Sequence, residues 1–122
     1  MTGYEPRCNL TVIRSNDLDQ AAMFYGELGL ELIKHRHGRG PEHLAHESGG
    51  HVFEVYPLAD GQTPTSSVRI GFSVRSVDES FAKLVAIGGQ ATTPPQDSEW
   101  GRRAVVTDFD GHRVELTSNT LV

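Results

Sequence analysis

The sequence predicts an α+β fold made of two repeated β-α-β-β-β modules, because one pattern of apolar residues occurs twice along the chain. In each half, a strand rich in β-branched residues precedes a segment with apolar residues at helical spacing, and alternating strands follow. The halves align at an offset of 59 residues, which pairs Leu18 with Val77 and Gly29 with Gly88. Glu54 and Glu115 then fall in the last strand of each half. An offset of this length is too long for a solenoid repeat and indicates a duplicated module.

The first module is predicted to contain one helix and four strands. Ser15, Asn16 and Asp17 are helix N-cap formers, and Gly29 is typical of a helix C-terminus. The predicted order is strand 8–14, helix 18–28, and strands 30–37, 42–47 and 51–58.

The second module repeats this order after a polar, turn-rich linker. Ser76 or Asp78 is expected to cap its helix, and Gly88 and Gly89 are expected to close it. The predicted order is strand 68–75, helix 77–87, and strands 90–93, 101–107 and 112–118.

Together the modules predict a single domain over residues 1–122, with module one at about 8–58, the linker at 59–67 and module two at about 68–118. A curved mixed sheet is expected, with the helices on its outer face and a concave face left free for a pocket. Glu54, Arg69 and Glu115 interrupt otherwise apolar or alternating strands and are expected on that concave face.

Charge and composition exclude several classes of partner. The net charge is −5 and no basic cluster dominates, which argues against nucleic acid as a partner. No apolar run approaches the roughly 20 residues of a membrane span. Cys8 is the single cysteine, so an internal disulfide is impossible, as is typical of the reducing cytoplasm. A cytoplasmic protein with a buried, inert Cys8 thiol is expected.

Several sequence blocks between about residues 8 and 118 identify a family. They are Ser15-Asn16-Asp17-Leu18, Phe24-Tyr25, Leu28-Gly29-Leu30, the FEVYP block with Glu54, Trp100-Gly101-Arg102-Arg103, and the DFDGHRVEL block with Glu115. In these blocks the chain resembles the vicinal oxygen chelate superfamily, which includes glyoxalase I, extradiol dioxygenases, fosfomycin-resistance enzymes and bleomycin-resistance proteins. The last block is the most specific, with Phe109 where the family commonly has proline.

The resemblance implies a divalent metal held by about four side chains, from the first and last strand of each half. Glu54 and Glu115 match the last-strand positions and are suitable ligands. Asn9, or Leu10 in a strand without a bulge, stands at the first position, and Arg69 stands at the third. Arginine stays protonated in proteins and cannot bind a cation. No metal is therefore expected, and Arg69 is expected to pair with Glu54, Glu115 or both.

The histidine-rich stretch from Lys34 to Tyr56 offers an alternative metal site. His35 and His37 are two residues apart on a predicted strand, so they share one face. With Glu54 they would form a facial site of two histidines and one carboxylate. The alternative ligand set is His35, His37, Glu54 and Glu115, with Ni, Zn, Mn or Fe as the metal. Solvent exposure is expected for the histidines beside turns, which are His43, His46, His51 and His112.

Other side chains are candidates for contacting a ligand. Tyr56 shares a face with Glu54, and the resemblance places residues 100–103 in a loop at the rim of the pocket. There, Arg102 or Arg103 would contact an anionic group. The predicted ligand-binding residues are Arg69, Asn9, Tyr56, His35, His37 and Arg102.

Three functions remain open from the sequence. The first is metal-free binding of a small, polar or anionic molecule, as in bleomycin-resistance proteins. The second is a metal-dependent lyase, isomerase or dioxygenase that uses Glu54, Glu115 and the His35–His37 pair. The third is a metal-free enzyme in which Arg69 holds an oxyanion and Glu115 or Glu54 is the catalytic base. The resemblance also implies a homodimer.

Overall fold

The computed structural model describes residues 5–118 and contains two helices and eight strands in that range. The first half comprises β1 (Leu10–Ser15), α1 (Leu18–Leu28), β2 (Ile33–His35), β3 (His43–Ser48) and β4 (His51–Pro57). The second half comprises β5 (Arg69–Ser73), α2 (Val77–Ala86), β6 (Gln90–Ser98), β7 (Gly101–Thr107) and β8 (Arg113–Ser118).

The predicted α+β fold with two repeated modules is confirmed. Strand order is β1-β4-β3-β2 in the first half and β5-β8-β7-β6 in the second, so the two topologies are identical. In each half the first strand runs parallel to the last, and the other pairs are antiparallel. The halves do not share a continuous sheet: each module forms a four-stranded sheet of its own, called here the first and the second sheet.

Helix termini follow the predicted capping residues. Asp17 caps α1, where its side chain accepts hydrogen bonds from the amides of Asp19 and Gln20. Gly29 ends α1 with a φ of 117°, a left-handed conformation that glycine adopts without strain. Ser76 caps α2 through the amide of Glu79. Both helices are too short to cross a membrane, and no helix of residues 5–118 is long and apolar enough to do so.

A single hydrophobic core joins the two modules. Helix α1 packs on β3 and β4, helix α2 packs on β6, β7 and β8, and the two helices contact each other. Phe24 and Tyr25 of α1 are fully buried and reach both halves, since Tyr25 contacts the rings of Phe53 and Phe72, and Phe24 contacts Phe109. Each sheet therefore has one face buried under its helix and one face turned away from it.

Three local predictions are wrong. Strand β2 ends at His35, so His37 lies in the following loop. Strand β6 continues through Pro94 and Pro95 to Ser98, because it is an edge strand with two register shifts, where missing amide donors are tolerated. Cys8 is exposed rather than buried, because it precedes β1.

The turn between β7 and β8 is tied to the first module by buried polar groups. Tyr25 donates to Asp108 Oδ2 at 2.6 Å, and His112 Nδ1 lies 2.9 Å from the same oxygen. The other ring nitrogen of His112 lies 2.7 Å from Thr65 Oγ1, which accepts the amide of Arg14. His112 is fully buried, so the expectation that it faces solvent is wrong. Its imidazole is held in place by the hydrogen bonds that burial requires.

Asp108 remains a carboxylate inside this network. Burial by itself raises the pKa of Asp108, but the hydrogen bonds from His112 and Tyr25 outweigh it, and the pKa lies below its ordinary value. Burial and the neighbouring Asp108 charge raise the pKa of the Tyr25 phenol well above its ordinary value. The phenol is therefore a permanent donor and Asp108 a permanent acceptor near neutral pH.

Candidate functional site

The face of the first sheet turned away from α1 carries Glu54 among apolar side chains. Cα partners in neighbouring strands share a face, and Glu54 lies between Val12 of β1 and Ala45 of β3. We call this surface the first open face; it comprises Leu10, Val12, Arg14, Ile33, His35, His43, Ala45, Glu47, Val52, Glu54 and Tyr56. It borders a cavity of about 520 Å³ lined in part by Ile33, His35, His37, Val52 and Glu54.

His43 lies within the first open face, beside Glu54. Its ring stacks on Tyr56 with a centroid distance of 4.1 Å and on His37 at 5.2 Å. These contacts leave His43 only 1% exposed, so the prediction that it faces solvent is wrong. Its Nε2 lies 3.5 Å from Glu54 Oε2 and makes no hydrogen bond.

The corresponding face of the second sheet is rich in arginine. We call it the second open face; it comprises Arg69, Gly71, Arg103, Val105, Arg113, Glu115 and Thr117. Arg103 donates to Glu115 Oε1 from Nε at 3.0 Å and from Nη2 at 2.8 Å. Arg69 Nε lies 3.9 Å from the same oxygen, so Glu115 is the carboxylate near Arg69, and Glu54 pairs with His43 instead.

The metal ligands that the family resemblance implies do not assemble here. Strand β1 pairs with β4 without a register shift, so Leu10 rather than Asn9 occupies the position that matches Arg69 of β5. Leucine has no ligand atom and the guanidinium stays protonated. Glu54 and Glu115 lie on different sheets, and Glu115 is bound by Arg103. The alternative set of His35, His37, Glu54 and Glu115 is not brought together either.

Among residues 5–118, three metal-ligand atoms lie within 4.8 Å of one another only in the cluster of Asp108, Asp110 and His112. Every side chain in this cluster is already hydrogen-bonded. Both Asp108 oxygens accept bonds within the turn and from Tyr25, and Asp110 accepts Ser15 Oγ at 2.6 Å and the Asn16 amide at 2.8 Å. The cluster therefore connects the β7–β8 turn to the end of β1.

The remaining predicted site residues lie in different places. Asn9 precedes β1 beside a cavity of only about 60 Å³, away from Glu54. Tyr56 lies on the first open face, where the guanidinium of Arg14 sits 5.0 Å from its ring centre. Arg102 points to the opposite face from Arg103 and binds Asp78 and Asp97, whose hydrogen bonds raise the pKa of Arg102. Because side chains alternate along β7, Arg103 rather than Arg102 lies on the face of Glu115.

Sequence reasoning did not single out His43 or Arg113 as residues of these faces, and of the pair Arg102 and Arg103 it listed Arg102 rather than Arg103 among the ligand-binding residues. The alternation of Arg113, Glu115 and Thr117 was a usable signal for Arg113, since it places that residue on the face of Glu115. For His43 there was no such signal, because its burial comes from rings contributed by the β2–β3 loop and by β4.

A second cavity of about 640 Å³ runs between the two modules. Its lining combines Thr11, His51 and Phe53 of the first module with Arg69 and Gly71 of the second. His51 is fixed there by Thr11 Oγ1 at 2.9 Å and by the carbonyl of Cys8 at 3.0 Å. Arg69 is thus the predicted site residue that contributes to both this cavity and the second open face.

Comparison with solved structures finds the same architecture in several proteins. A glyoxalase-related enzyme from Fulvimarina pelagi superposes with a TM-score of 0.74 at 25% identity, covering 93% of this chain and 88% of that one. TnmS3, an antibiotic binding protein from Streptomyces sp. CB03234, gives a TM-score of 0.73 at 22% identity, covering 96% and 98%.

Sequence comparison agrees with the structural likeness. An uncharacterised protein of Mycolicibacterium smegmatis is 31% identical over 103 residues, which cover 84% of this chain and 85% of that protein. The family model of the glyoxalase/bleomycin resistance protein/dioxygenase superfamily matches residues 7–116. With the duplicated β-α-β-β-β module and the two open sheet faces, these matches show that the chain belongs to the glyoxalase/bleomycin resistance protein/dioxygenase superfamily.

Proposed function

We propose that this protein binds a small anionic molecule on the second open face. The observation that carries this proposal is that three arginines, Arg69, Arg103 and Arg113, share this face with a single carboxylate, Glu115, which contacts Arg69 and Arg103. Glu115 neutralises one of the three charges. A local excess of positive charge therefore remains on a protein whose net charge is −5.

The position of Arg113 strengthens this interpretation. Arg69 and Arg113 are direct partners across the β5–β8 ladder, so their side chains leave the sheet side by side. Like charges at directly opposed strand positions destabilise the pairing. Within residues 5–118, no carboxylate lies within ion-pair distance of Arg113. An anion that bridges the two guanidiniums would offset this repulsion through charge-assisted hydrogen bonds.

Related proteins support a binding role. TnmS3 shares this fold and is an antibiotic binding protein. In the present chain the implied metal ligands are replaced by Leu10 and Arg69, which favours binding through guanidinium groups over catalysis at the family's metal position. Arg69 also borders the cavity of about 640 Å³, where an apolar part of the ligand would contact Phe53 and Phe72.

NMR titration with phenylphosphonate, and with phenol as an uncharged probe of the same ring, tests this proposal. We expect saturable amide shifts in β5 and β8 with phenylphosphonate, and none there with phenol. Arg69→Gln and Arg113→Gln should each weaken phenylphosphonate binding by about 10- to 100-fold, because each removes one charge-assisted contact worth about 1.5–3 kcal/mol.

Arg39→Gln is the matched control, because Arg39 is exposed in the turn before β3 and carries the same charge. Its affinity for phenylphosphonate should equal that of the wild type. If Arg69→Gln and Arg113→Gln bound phenylphosphonate as tightly as Arg39→Gln, an anion site on the second open face would be ruled out. The same conclusion would follow if phenol produced the same amide shifts as phenylphosphonate.

We also infer that a second copy of the chain covers the first open face. Leu10, Val12 and Ile33 are 51%, 38% and 54% exposed on this one surface. Removing apolar surface of this kind from water is favourable by about 25 cal/mol per Å² of apolar area buried. Homodimerisation, which the family resemblance implies, would bury it.

A further inference from the structure

We propose that the anion bound at the second open face is a small N-acylated amino acid or dipeptide whose amides pair with the free edge of strand β5. This inference rests on the anion site proposed above and names the class of anion that it takes. It begins with the position of β5 in its sheet. The strand pairs with β8 along one edge, and within residues 5–118 no strand occupies its other edge.

The backbone groups on the free edge of β5 can be identified from its ladder with β8. The carbonyl of Val68 and the amide of Val74 both bond to β8, at 3.1 Å and 2.8 Å. Backbone groups alternate in direction along a strand, so the even-numbered residues of β5 face β8. The N–H and C=O groups of Arg69, Gly71 and Ser73 therefore point toward the free edge.

The other outer strands are shortened, interrupted or partly occupied, whereas β5 is not. Strand β2 has only three residues, and β6 contains Pro94, Pro95 and two register shifts. On β1, the amide of Arg14 donates to Thr65 Oγ1. Short strands, prolines and bulges protect sheet edges against an added strand. Strand β5 has no proline or register shift over Arg69–Ser73, so its edge is open to an extended ligand.

The cavity between the modules runs along this edge and indicates where an apolar group would lie. All of residues 68–73 line this cavity of about 640 Å³, together with Leu30 and Phe53. Leu30 and Phe72 also border Ser73 in an adjoining cavity. Apolar surface is therefore available at the C-terminal end of β5.

Positive charge lies at the opposite end of the strand. Arg69 begins β5, and Arg113 is its cross-strand partner. Guanidinium groups bind a carboxylate through charge-assisted hydrogen bonds. A ligand antiparallel to β5 would place its carboxylate beside these arginines, its amides along Gly71 and Ser73, and its acyl group at the apolar end. An anion without amides would leave the edge of β5 unpaired, so the three features together favour an N-acylated amino acid or dipeptide.

Calorimetric titration with hippuryl-glycine (N-benzoylglycylglycine) tests this inference, and its di-N-methyl analogue is the matched probe. Both compounds carry the same ring and carboxylate, but only hippuryl-glycine has amide N–H groups that can pair with β5. We expect hippuryl-glycine to bind at least about 10-fold more tightly than the analogue, because the methylated amides cannot donate. Hydrogen exchange at the amides of Gly71 and Ser73 should slow when hippuryl-glycine is bound.

Substitution of Gly71 tests the same pairing from the side of the protein. Gly71→Pro removes an amide from the free edge and leaves the ladder to β8 intact, a position at which proline is tolerated. Gly71→Ala is the matched comparison, because it keeps the amide and its Cβ would meet nothing within 4 Å. Hippuryl-glycine should bind Gly71→Ala about 10-fold more tightly than Gly71→Pro.

Phenylphosphonate has no amide and therefore reports on the anion site alone. If phenylphosphonate binds while hippuryl-glycine and its methylated analogue bind equally, the anion site stands and the pairing with β5 is overturned. If neither phenylphosphonate nor hippuryl-glycine binds, both proposals are wrong. Amides of Gly71 and Ser73 that already resist exchange in the ligand-free protein would mean that a second copy of the chain occupies the edge, which also overturns pairing with a ligand.

Discussion

Asp108 shows how a single buried charge is accommodated. Four donors converge on its two oxygens: the Tyr25 hydroxyl, Nδ1 of His112, and the amides of Asp110 and His112. Hydrogen bonds to a charged group are worth about 1.5–3 kcal/mol each, which is enough to offset a substantial desolvation cost. The sequence identified this block as a turn with a family signature, but not as a buried network, because the Tyr25 hydroxyl that helps to close it comes from α1, far away in the sequence.

The depressed pKa of Asp108 predicts a specific loss of stability in acid. A carboxylate with a lowered folded-state pKa contributes stability that is fully present above its unfolded-state value of about 3.9. That contribution is lost as the pH falls through the folded-state pKa, which lies lower. The free energy of unfolding, measured by denaturant titration, should therefore fall steeply below about pH 4.

Tyr25→Phe isolates the hydroxyl in this network. The variant should lose about 1.5–3 kcal/mol of unfolding free energy at neutral pH, because a charged acceptor loses a buried donor. Its acid-dependent loss should be smaller than that of the wild type. Tyr56→Phe makes the same chemical change on the first open face and should alter neither quantity. Identical acid dependence in Tyr25→Phe and the wild type would show that Asp108 does not depend on this hydroxyl.

At the scale of elements, Gly89 fixes how the end of α2 meets the second sheet. Its amide donates to the carbonyl of Leu84 at 2.8 Å, so the chain turns sharply beside the helix. A Cβ at this position would lie 2.7 Å from that carbonyl oxygen and 2.8 Å from Cγ1 of Val106. Such contacts lie well inside van der Waals distance, and neither neighbour is the free end of a flexible chain. The sequence marks Gly89 only as a helix stop.

Gly89→Ala should therefore destabilise the protein by about 1–3 kcal/mol or more, through overpacking against backbone and core. Gly71→Ala is the matched comparison, because a Cβ on Gly71 in β5 would meet nothing within 4 Å. It should change stability by no more than about 0.5 kcal/mol. Thermal and denaturant unfolding of the two variants would measure the difference. If Gly89→Ala lost as little stability as is expected of Gly71→Ala, the contacts of Gly89 with Leu84 and Val106 would not be tight.

At the scale of the whole molecule, the two modules share a core while their open faces stay separate. Tyr25, Phe53 and Phe72 pack across the module boundary, and Ser15 and Asn16 bind Asp110 from the other half. These contacts between the modules involve the helix-covered faces of the two sheets. The open faces consequently remain uncovered within one chain; the first carries the exposed apolar Leu10, Val12 and Ile33, and the second is rich in arginine.

The proposed homodimer predicts a change in mass on disrupting the first open face. Leu10→Lys places a charge in the apolar surface that a second copy would cover, so the variant should elute and scatter light as a monomer. Met23→Lys is the control, because Met23 is also an exposed apolar residue but lies on α1. It should keep the two-chain mass of the wild type. A wild type that has the mass of a single chain at high concentration would contradict the proposal.

The sequence alone determined the repeated module, the order of its elements and the caps of both helices. These features depend on local chemistry: apolar periodicity, N-cap side chains and glycine in left-handed backbone all act within a few residues. Alternation also placed Glu54 and Glu115 on the sheet faces that the helices do not cover. The extended β6 was missed, because proline argues locally against a strand and only its edge position makes it acceptable.

Only the tertiary structure decided which charged side chains meet. Strand register brought Arg103 and Arg69 to Glu115, left Glu54 with His43, and turned Arg102 toward Asp78 and Asp97. Burial of His43 and His112 likewise depends on rings and hydroxyls from distant parts of the chain. Periodicity assigns a side chain to one face of its own strand, whereas its neighbours on that face come from other strands whose pairing is set by the packing of the whole core.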